Sequence, residues 1–399
     1  MQRIIPTAFR RMIAIVPVVA LAACGAAAAP AAGHAGQAAS QHAGRQPVRH
    51  AIADRAPASI RPRQPAATPT AARTAGGRNP AGQAAGPTVP GTSNCPLFPA
   101  NNIWNTDISK LPVAAHSAAW LRSMNSAGTY LHPDFGPDPG GYPYGIPFIY
   151  VTNAHPKVRI AFQYASESNK GPYPFGADTP IEGGPKAGGD RHALMVDSST
   201  CTLYELWNAH YSPRRSTAGS GAIWNLRSNA LRPAGWTSAD AAGLPIMPGL
   251  LNFGQIKWAV RTGTPIRHAI RFTAERTRSA YIWPARHEAG SGGSLSLPPM
   301  GARFRLKASF NVAGFCRRST PYCADAKVVL VEMQHYGLIL ADNGSNWYFQ
   351  GSAFPKWPDA LVELLKQIPA RAFEAVSTSC LMVSRNSGEA RARPGCPIG

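Results

Sequence analysis

The chain has 399 residues and a formal net charge of +20, and residues 1–94 carry +9 of it through ten arginines and one aspartate. Walker, dinucleotide-binding, Gly-x-Ser-x-Gly and His-Glu-x-x-His motifs are missing from the sequence. Composition and motifs therefore argue against the commonest nucleotide-binding, serine-hydrolase and metalloprotease classes. The positive charge favours an anionic polymer as partner.

Residues 1–24 have the pattern of an export signal. Three arginines precede an apolar stretch at residues 12–22, which is too short to span a bilayer as a helix. The segment ends in Leu21-Ala22-Ala23-Cys24, which resembles a bacterial lipobox and implies lipidation of the Cys24 thiol. The alternative is ordinary signal cleavage at a small-residue site, without a lipid.

The composition after the signal predicts three further regions. Residues 25–94 are rich in Ala, Pro, Gly and Arg and read as a disordered tether. Residues 95–376 are predicted to form a single β-rich globular domain. Residues 377–399 form a C-terminal tail that a disulfide would fasten.

Six cysteines follow the lipobox, and an even number in an exported chain favours disulfides. Six cysteines allow fifteen pairings. The most local choice joins Cys316 with Cys323, and Cys380 with Cys396 would fasten the tail. Cys95 and Cys201 then remain for each other.

The predicted elements are mostly short strands. In chain order we expect a helix at 116–126, paired strands at 146–152 and 157–165, paired strands at 191–197 and 202–208, paired strands at 267–273 and 279–283, a strand at 302–310, a helix at 326–335, paired strands at 336–342 and 347–350, and a helix at 358–367. This pattern predicts a mainly β domain, an antiparallel β-sandwich or barrel-like fold built from hairpins, with a few short helices.

The densest group of polar residues lies in the second pair of strands and the Gly-rich stretch before it. Because residues two apart share a face of a strand, Asp190 and His192 face the same side, and so do Glu205 and Trp207 on the returning strand. Both plausible hairpin registers keep these four side chains on one face. The predicted catalytic residues are Asp190, His192 and Glu205.

The register decides what this face could do. In the tighter hairpin Asp190 and Glu205 are diagonal neighbours about 7–8 Å apart, a spacing compatible with cleavage of a glycosidic bond. In the wider hairpin the two carboxylates are too far apart to act together. His192 beside a carboxylate would have a raised pKa and could donate a proton. The alternative is a buried polar pair with a purely structural role.

Further residues are predicted to bind substrate around this face. Trp and Arg side chains suit a hydroxylated or acidic chain, and the alternative, which the composition favours, is an ordered surface loop. The predicted substrate-binding residues are Arg191, Trp207, Trp224, Arg227, Trp236 and His287. His132 with Asp134 is a weak metal-ligand pair, and residues 342–346 read as a plain turn. We predict no metal and no cofactor.

Several motifs together are similar to those of a group of exported bacterial proteins without an assigned activity. They read GGDRHALMVD, CTLYELWNA, SGAIWNLRSNALRPAGWTSADAAGLPI, AYIWPARH, PPMGARFRLKASF and YGLILADNGSNWY. The resemblance covers most of residues 95–376 and implies one coherent domain. It implies no reaction and no catalytic residues.

These observations predict an exported, lipid-anchored protein of the cell envelope that binds polysaccharide and cleaves it as a glycoside hydrolase or lyase. The expected partner is polysaccharide or another anionic envelope polymer, with no nucleic acid, and the membrane would be contacted only through the N-terminal lipid. In the lyase variant, Arg191 or Arg227 would neutralise a uronate. The alternative is a non-catalytic envelope binding or scaffold lipoprotein. The oligomeric state stays open.

Overall fold

The computed structural model describes residues 86–137 and 141–399. The predicted signal peptide, the lipidation site Cys24 and residues 25–85 of the predicted tether lie outside the described residues. Within those ranges, no helix has the length and apolar character that a membrane crossing requires.

Twelve strands and four α-helices occur in the described part of the chain. In chain order the strands are β1 (His132–Asp134), β2 (Phe148–Val151), β3 (Ile160–Phe162), β4 (Ala193–Asp197), β5 (Thr202–Trp207), β6 (Ser216–Ala218), β7 (Ser220–Asn225), β8 (Ile270–Ala274), β9 (Arg303–Leu306), β10 (Leu338–Asn343), β11 (Tyr348–Gln350) and β12 (Phe373–Val376). The helices are α1 (Ser117–Ser123), α2 (Phe253–Thr262), α3 (Cys323–His335) and α4 (Asp359–Leu365). The prediction of a sheet-rich fold with few helices is confirmed.

The largest sheet has six strands in the order β1-β11-β8-β10-β9-β12. Strand β8 lies inside it, antiparallel to β11 and parallel to β10. All five residues of β8 are buried, so both faces of this strand are covered. Phe272 packs against Phe304 and Trp347, with ring centroids 5.3 and 5.7 Å away. By strand alternation Arg271 points to the opposite face, where it too is buried.

A second sheet has four strands in the order β2-β4-β5-β7, and β3 pairs with β6 separately. Strand β4 is also buried on both faces. Leu194 and Val196 belong to the main core, whereas Ala193 and Met195 belong to a smaller one. None of the three sheets in the described residues closes into a barrel.

One of the four predicted hairpins, β4 with β5, forms as expected. Strand β2 pairs in parallel with β4 instead of with β3, and β10 and β11 lie on opposite sides of β8. Residues 279–283 form no strand and make only an isolated bridge from Tyr281 to Met300. The sheets are therefore mixed and not purely antiparallel, because strands distant in sequence insert between neighbours. A turn signal such as Asn343-Gly344 reports that the chain turns and not which strand it then joins.

The three predicted helices are confirmed as α1, α3 and α4, and a fourth, α2, was not predicted. The sequence signals for α2 are the capping residues at its two ends. The Asn252 side chain accepts hydrogen bonds from the backbone N–H groups of Gly254 and Gln255, and Gly263 ends the helix in the left-handed region at φ 69°.

The three predicted disulfides are confirmed: Cys95–Cys201, Cys316–Cys323 and Cys380–Cys396. They are typical of an oxidising environment outside the cytosol. Near the first of them, residues 86–94 are ordered, although their composition placed them in the tether. Val89 is fully buried, and its N–H donates to the Cys95 carbonyl at 2.9 Å. The tail also packs on the domain, since Leu381 is fully buried.

The disulfides differ in the length of chain that they close, and their contributions to stability should differ accordingly. Cys95–Cys201 spans 106 residues and Cys316–Cys323 spans 7. In the chain-entropy description, replacing both cysteines of the long loop by Ser should lower the free energy of unfolding by about 4.7 kcal/mol, against about 2.4 kcal/mol for the short loop. Urea denaturation of the two double variants measures this. Equal losses would contradict the dependence on loop length.

Candidate functional site

The β4–β5 hairpin adopts the wider of the two registers that the sequence allows. Asp197 lies opposite Thr202, and Leu194 lies opposite Glu205. Asp190 and Glu205 are thus offset along the hairpin, and Asp190 is exposed whereas Glu205 is fully buried. The structure does not bring these two carboxylates together, which corrects the prediction that they flank one glycosidic bond.

Glu205 anchors a loop. The backbone N–H groups of Ile246 and Met247 donate to its Oε1, both at 2.9 Å, and the Trp224 indole donates to its Oε2 at 3.0 Å. Both oxygens of the Glu205 carboxylate therefore accept hydrogen bonds from groups of the protein itself. Glu205 therefore fixes the 3-10 turn at Met247–Gly249 to β5 and has no access to substrate.

Burial raises the pKa of Glu205 to about 7, even though the donated hydrogen bonds of Met247, Ile246 and Trp224 act in the opposite direction. A strongly shifted pKa is often a sign of an active site. Here the shift arises from complete desolvation of an anchoring group.

His192 is a second anchor and not an available proton donor. Its Nδ1 lies 2.7 Å from Glu182 Oε2, and its Nε2 lies 3.1 Å from the carbonyl oxygen of Ala239. Both partners are acceptors, so both ring nitrogens must carry a proton. Burial by itself lowers the pKa of His192, but the Glu182 carboxylate outweighs it and raises that pKa to about 9.

The arginines of the predicted binding face are also occupied by the protein. Arg191 is buried and donates to the carbonyl oxygens of Ala209, Pro185 and Ala187, so it holds the Gly-rich loop closed. Arg227 is exposed and donates to the carbonyls of Thr200 and Asn94. Neither arrangement leaves a guanidinium directed at a ligand, which corrects the predicted roles of Arg191 and Arg227 in binding a uronate.

The aromatic residues of the predicted rim divide between core and surface. Trp224 is buried, and the guanidinium of Arg232 lies between Trp224 and the half-buried Trp236, 5.6 and 5.5 Å from the ring centroids. His287 is half-buried and its Nδ1 lies 2.8 Å from the Ala241 carbonyl. Trp224 is therefore a structural residue, which corrects its predicted role in binding.

The residues that do converge surround Arg271. Its Nε and Nη2 donate to the two carboxylate oxygens of Asp240 at 3.1 and 2.8 Å, and Nη2 also reaches Asp342 Oδ2 at 3.4 Å. Two carboxylates thus share one guanidinium. Asp240 is fully buried, whereas the side chain of Asp342 is 22% exposed. The sequence patterns do not predict this arrangement, although an arginine inside the apolar strand Ile270-Arg271-Phe272 is a signal for it.

We define the Arg271 cluster as Glu182, Asp190, His192, Asp240, Arg271 and Asp342. It contains four carboxyl groups and two cations, so it would carry excess negative charge if every acid were ionised. Burial raises the pKa of Asp342 well above its ordinary value, and the charges of Asp240 and Asp190 raise it further against the opposing effect of Arg271. Asp342 is consequently a carboxyl group whose ionisation the cluster opposes.

Asp190 presents an exposed carboxylate at the edge of the cluster. The indole N–H of Trp207 donates to its Oδ1 at 3.1 Å. Trp207 is half-buried, and its ring lies 6.2 Å from that of the exposed Tyr164. Of the four residues predicted to share a face, Asp190 and Trp207 are thus in contact at the surface, whereas His192 and Glu205 are buried.

A further polar group joins β1 to β11. Asp134 accepts hydrogen bonds from the Tyr144 hydroxyl and from Gln350 Nε2, and the His132 ring stacks on Tyr348 at 4.1 Å. Partial desolvation and the Asp134 carboxylate raise the pKa of Tyr144, although part of its side chain remains exposed. In the described ranges, no three His, Cys, Asp or Glu side chains are arranged to hold a metal ion.

Two sizeable cavities lie elsewhere. One has a volume of about 530 Å³ and is lined by α2 and by residues near Pro87. The other has a volume of about 610 Å³ and includes Trp283 and Arg286. Neither is lined by an aspartate or glutamate, and neither includes a member of the Arg271 cluster.

Comparison with known proteins gives no relative from which to transfer a role, because no family model, curated protein or solved structure matches the chain. The chemistry of the site must therefore be read from its own residues.

Glu205 should make the stability of the protein depend on pH in the acid range. Its pKa rises from 4.5 to about 7 on folding, so between these values the unfolded chain binds fewer protons than the folded one. The free energy of unfolding should fall by about 3 kcal/mol as pH rises from 4.5 to 7. Glu205→Gln should remove this decline, as measured by urea denaturation across that range. A variant with the decline intact would contradict the assignment.

His192 should produce a separate decline at higher pH. Its folded pKa of about 9 lies above the ordinary 6.5, so its stabilising effect is complete below pH 6.5 and is lost as pH rises through 9. Glu182→Gln should lower the free energy of unfolding at pH 6 by about 2 kcal/mol, since a charge-assisted hydrogen bond is lost, and should flatten the curve between pH 6.5 and 9. Glu205→Gln is the matched control, since it should leave this alkaline range unchanged.

Proposed function

We propose that the protein is an exported, lipid-anchored envelope protein that binds polysaccharide and hydrolyses a glycosidic bond at the Arg271 cluster. The observation that supports this most directly is Asp342, a partly exposed carboxyl group whose pKa is raised well above its ordinary value by burial and by the charges of Asp240 and the exposed Asp190. Asp342 takes the place of Glu205 in the pair that the sequence suggested.

Asp342 is the general acid in this proposal. Hydrolysis of a glycoside needs a carboxyl group that is still protonated near neutral pH and can donate to the departing oxygen. Two hydrogen bonds hold the carboxyl group in place: the backbone N–H of Asn343 donates to its Oδ1 at 2.8 Å, and Arg271 contacts Oδ2. As the bond to the sugar breaks, the proton of Asp342 passes to the leaving group.

Asp190 is the second carboxylate, which in such enzymes activates water or attacks the anomeric carbon. The Trp207 indole orients it by a hydrogen bond, and the exposed face of Tyr164 lies next to that indole. Aromatic rings with an adjacent polar group are suited to sugar rings. Tyr142 and Tyr144 are also exposed, and Tyr142 packs on Gly184 in the Gly-rich loop that leads to the cluster.

A hydrolase fits these residues better than a lyase. A lyase needs a cation that neutralises the uronate carboxylate, and the two arginines proposed for that role, Arg191 and Arg227, are bound to backbone carbonyls. The cations of the cluster, Arg271 and His192, are buried and paired with carboxylates. The membership in a group of exported bacterial proteins, the sandwich arrangement of the sheets and the lipid at Cys24 remain parts of the proposal.

The second candidate is a non-catalytic envelope binding or scaffold protein. It is favoured by the two cavities, which have aromatic and arginine side chains but no carboxylate in their walls. A binding protein would use those cavities and keep the Arg271 cluster only as an internal support. The two candidates differ in whether polysaccharide is cleaved.

Asp342→Asn should abolish cleavage while leaving the fold intact. Loss of a general acid lowers the rate by about a hundredfold or more. The measurement is the release of reducing ends from a panel of polysaccharides by the purified full-length protein, with circular dichroism as a check on folding. Wild-type activity should fall as pH rises through the raised pKa of Asp342.

Two further variants make this test specific. Asp190→Asn should also lose activity, and Asp359→Asn, which neutralises an exposed carboxylate at the start of α4, should not. Full activity of Asp342→Asn would sink the assignment of the acid. Binding without cleavage by the wild-type protein would favour the second candidate.

A further inference from the structure

The cavity of about 530 Å³ beside α2 has the dimensions of a small-ligand site. One wall is a face of α2 that includes Gln255, Trp258 and Arg261, spaced three residues apart and therefore on the same side of the helix. The turn after the helix contributes Arg267, and the ordered segment at residues 86–91 closes the other side.

The charges in this cleft have no acidic partner in the part of the chain that the structure describes. No aspartate or glutamate lines it. Among the described residues, neither Arg261 nor Arg267 donates a side-chain hydrogen bond or forms an ion pair. The buried arginines of the domain behave differently, since Arg271 and Arg305 are each paired with a carboxylate. Two guanidinium groups in one concave site, with no carboxylate partner among the described residues, are suited to an anion, which an arginine binds through paired N–H donors.

The groups behind the cleft do not cancel this charge. His268 lies 3.3 Å from the Gln255 carboxamide and 3.6 Å from Glu332. Burial lowers the pKa of His268 to about 4 and raises that of Glu332 well above its ordinary value, so burial opposes the charged form of both groups. The Lys257–Asp325 ion pair leaves no net charge on the neighbouring side of α2.

Trp258 adds a surface for a sugar ring. Trp258 is 44% exposed and lines the cleft, although tryptophan, as a large apolar residue, is on average highly buried. An exposed aromatic face beside the Gln255 amide and two guanidinium groups combines the contacts that a charged saccharide needs.

We propose that this cleft binds an anionic saccharide segment, with Arg261 and Arg267 on its carboxylate or phosphate and Trp258 against a sugar ring. The proposal rests on the proposed function only in taking the ligand to be a saccharide, and the cleft is separate from the cluster assigned to cleavage. The same chemistry could come from a uronate in a polysaccharide or from the phosphate of a teichoic-type polymer.

Binding is measured by titration calorimetry on full-length protein carrying Asp342→Asn, so that cleavage does not interfere. The probes are trigalacturonate for the uronate, a short glycerol phosphate oligomer for the phosphate, and maltotriose as a neutral saccharide of similar size. Arg261→Gln with Arg267→Gln should weaken the anionic probe at least about tenfold. Arg214→Gln with Arg215→Gln removes the same charge from two exposed arginines outside the cleft and should have little effect.

Trp258→Ala, which leaves the charge unchanged, should weaken the same anionic probe as well. If trigalacturonate is the probe whose binding the Arg261 and Arg267 substitutions weaken, the ligand is a uronate. If it is the glycerol phosphate oligomer, the ligand is a phosphate polymer. Failure of both anions to bind, equal losses in the two arginine double variants, or equally tight binding of maltotriose would overturn the proposal. Cleavage is assayed separately with the wild-type protein, so a failure of the cleft and a failure of the proposed hydrolysis are distinguishable.

Discussion

The buried pair of Arg271 and Asp240 is the constraint on which the centre of this domain depends. Arg271 lies within a strand whose other side chains form the core, so its charge must be compensated where it stands. An unpaired charge at such a site would cost about 3–5 kcal/mol, enough to remove much of the stability of a typical domain. Asp240 meets this requirement with two hydrogen bonds, and the loop that carries Asp240 is therefore fixed to β8.

That loop is also held from the second sheet. His192 donates to the carbonyl of Ala239, the residue before Asp240, and Glu205 accepts from the N–H groups of Ile246 and Met247 further along. His192, just before β4, and Glu205, in β5, thus hold the two ends of this segment, and Arg271 holds it at Asp240, next to the first of these contacts. This explains why His192 and Glu205 combine charge with complete burial: they connect two sheets through a stretch that has no regular structure of its own.

Local patterns in the sequence predicted local structure well and strand pairing poorly. Cys316 and Cys323, α3, α4 and the β4–β5 hairpin depend on contacts between near neighbours, and all were predicted. The place of β8 between β10 and β11 depends on contacts about 70 residues apart, for which a single sequence gives no register. For the same reason strand parity found the shared face of Asp190 and Trp207 but could not find Asp240 or Asp342, which approach Arg271 from other parts of the chain.

Burial and the strength of the contacts with donors separate the anchoring carboxylates from Asp342. Glu205 accepts three different N–H donors and Asp240 accepts two from one guanidinium, so proton transfer from either would break contacts that the fold requires. Asp342 contacts Arg271 at a longer distance than Asp240 does, and its side chain remains partly exposed. It also lies among carboxylates that oppose its ionisation. Because Asp240 supplies the carboxylate that compensates Arg271, its charge opposes the ionisation of Asp342 and raises the pKa of Asp342. The ion pair that stabilises the core thereby also favours the protonated form of a neighbouring, partly exposed carboxyl group.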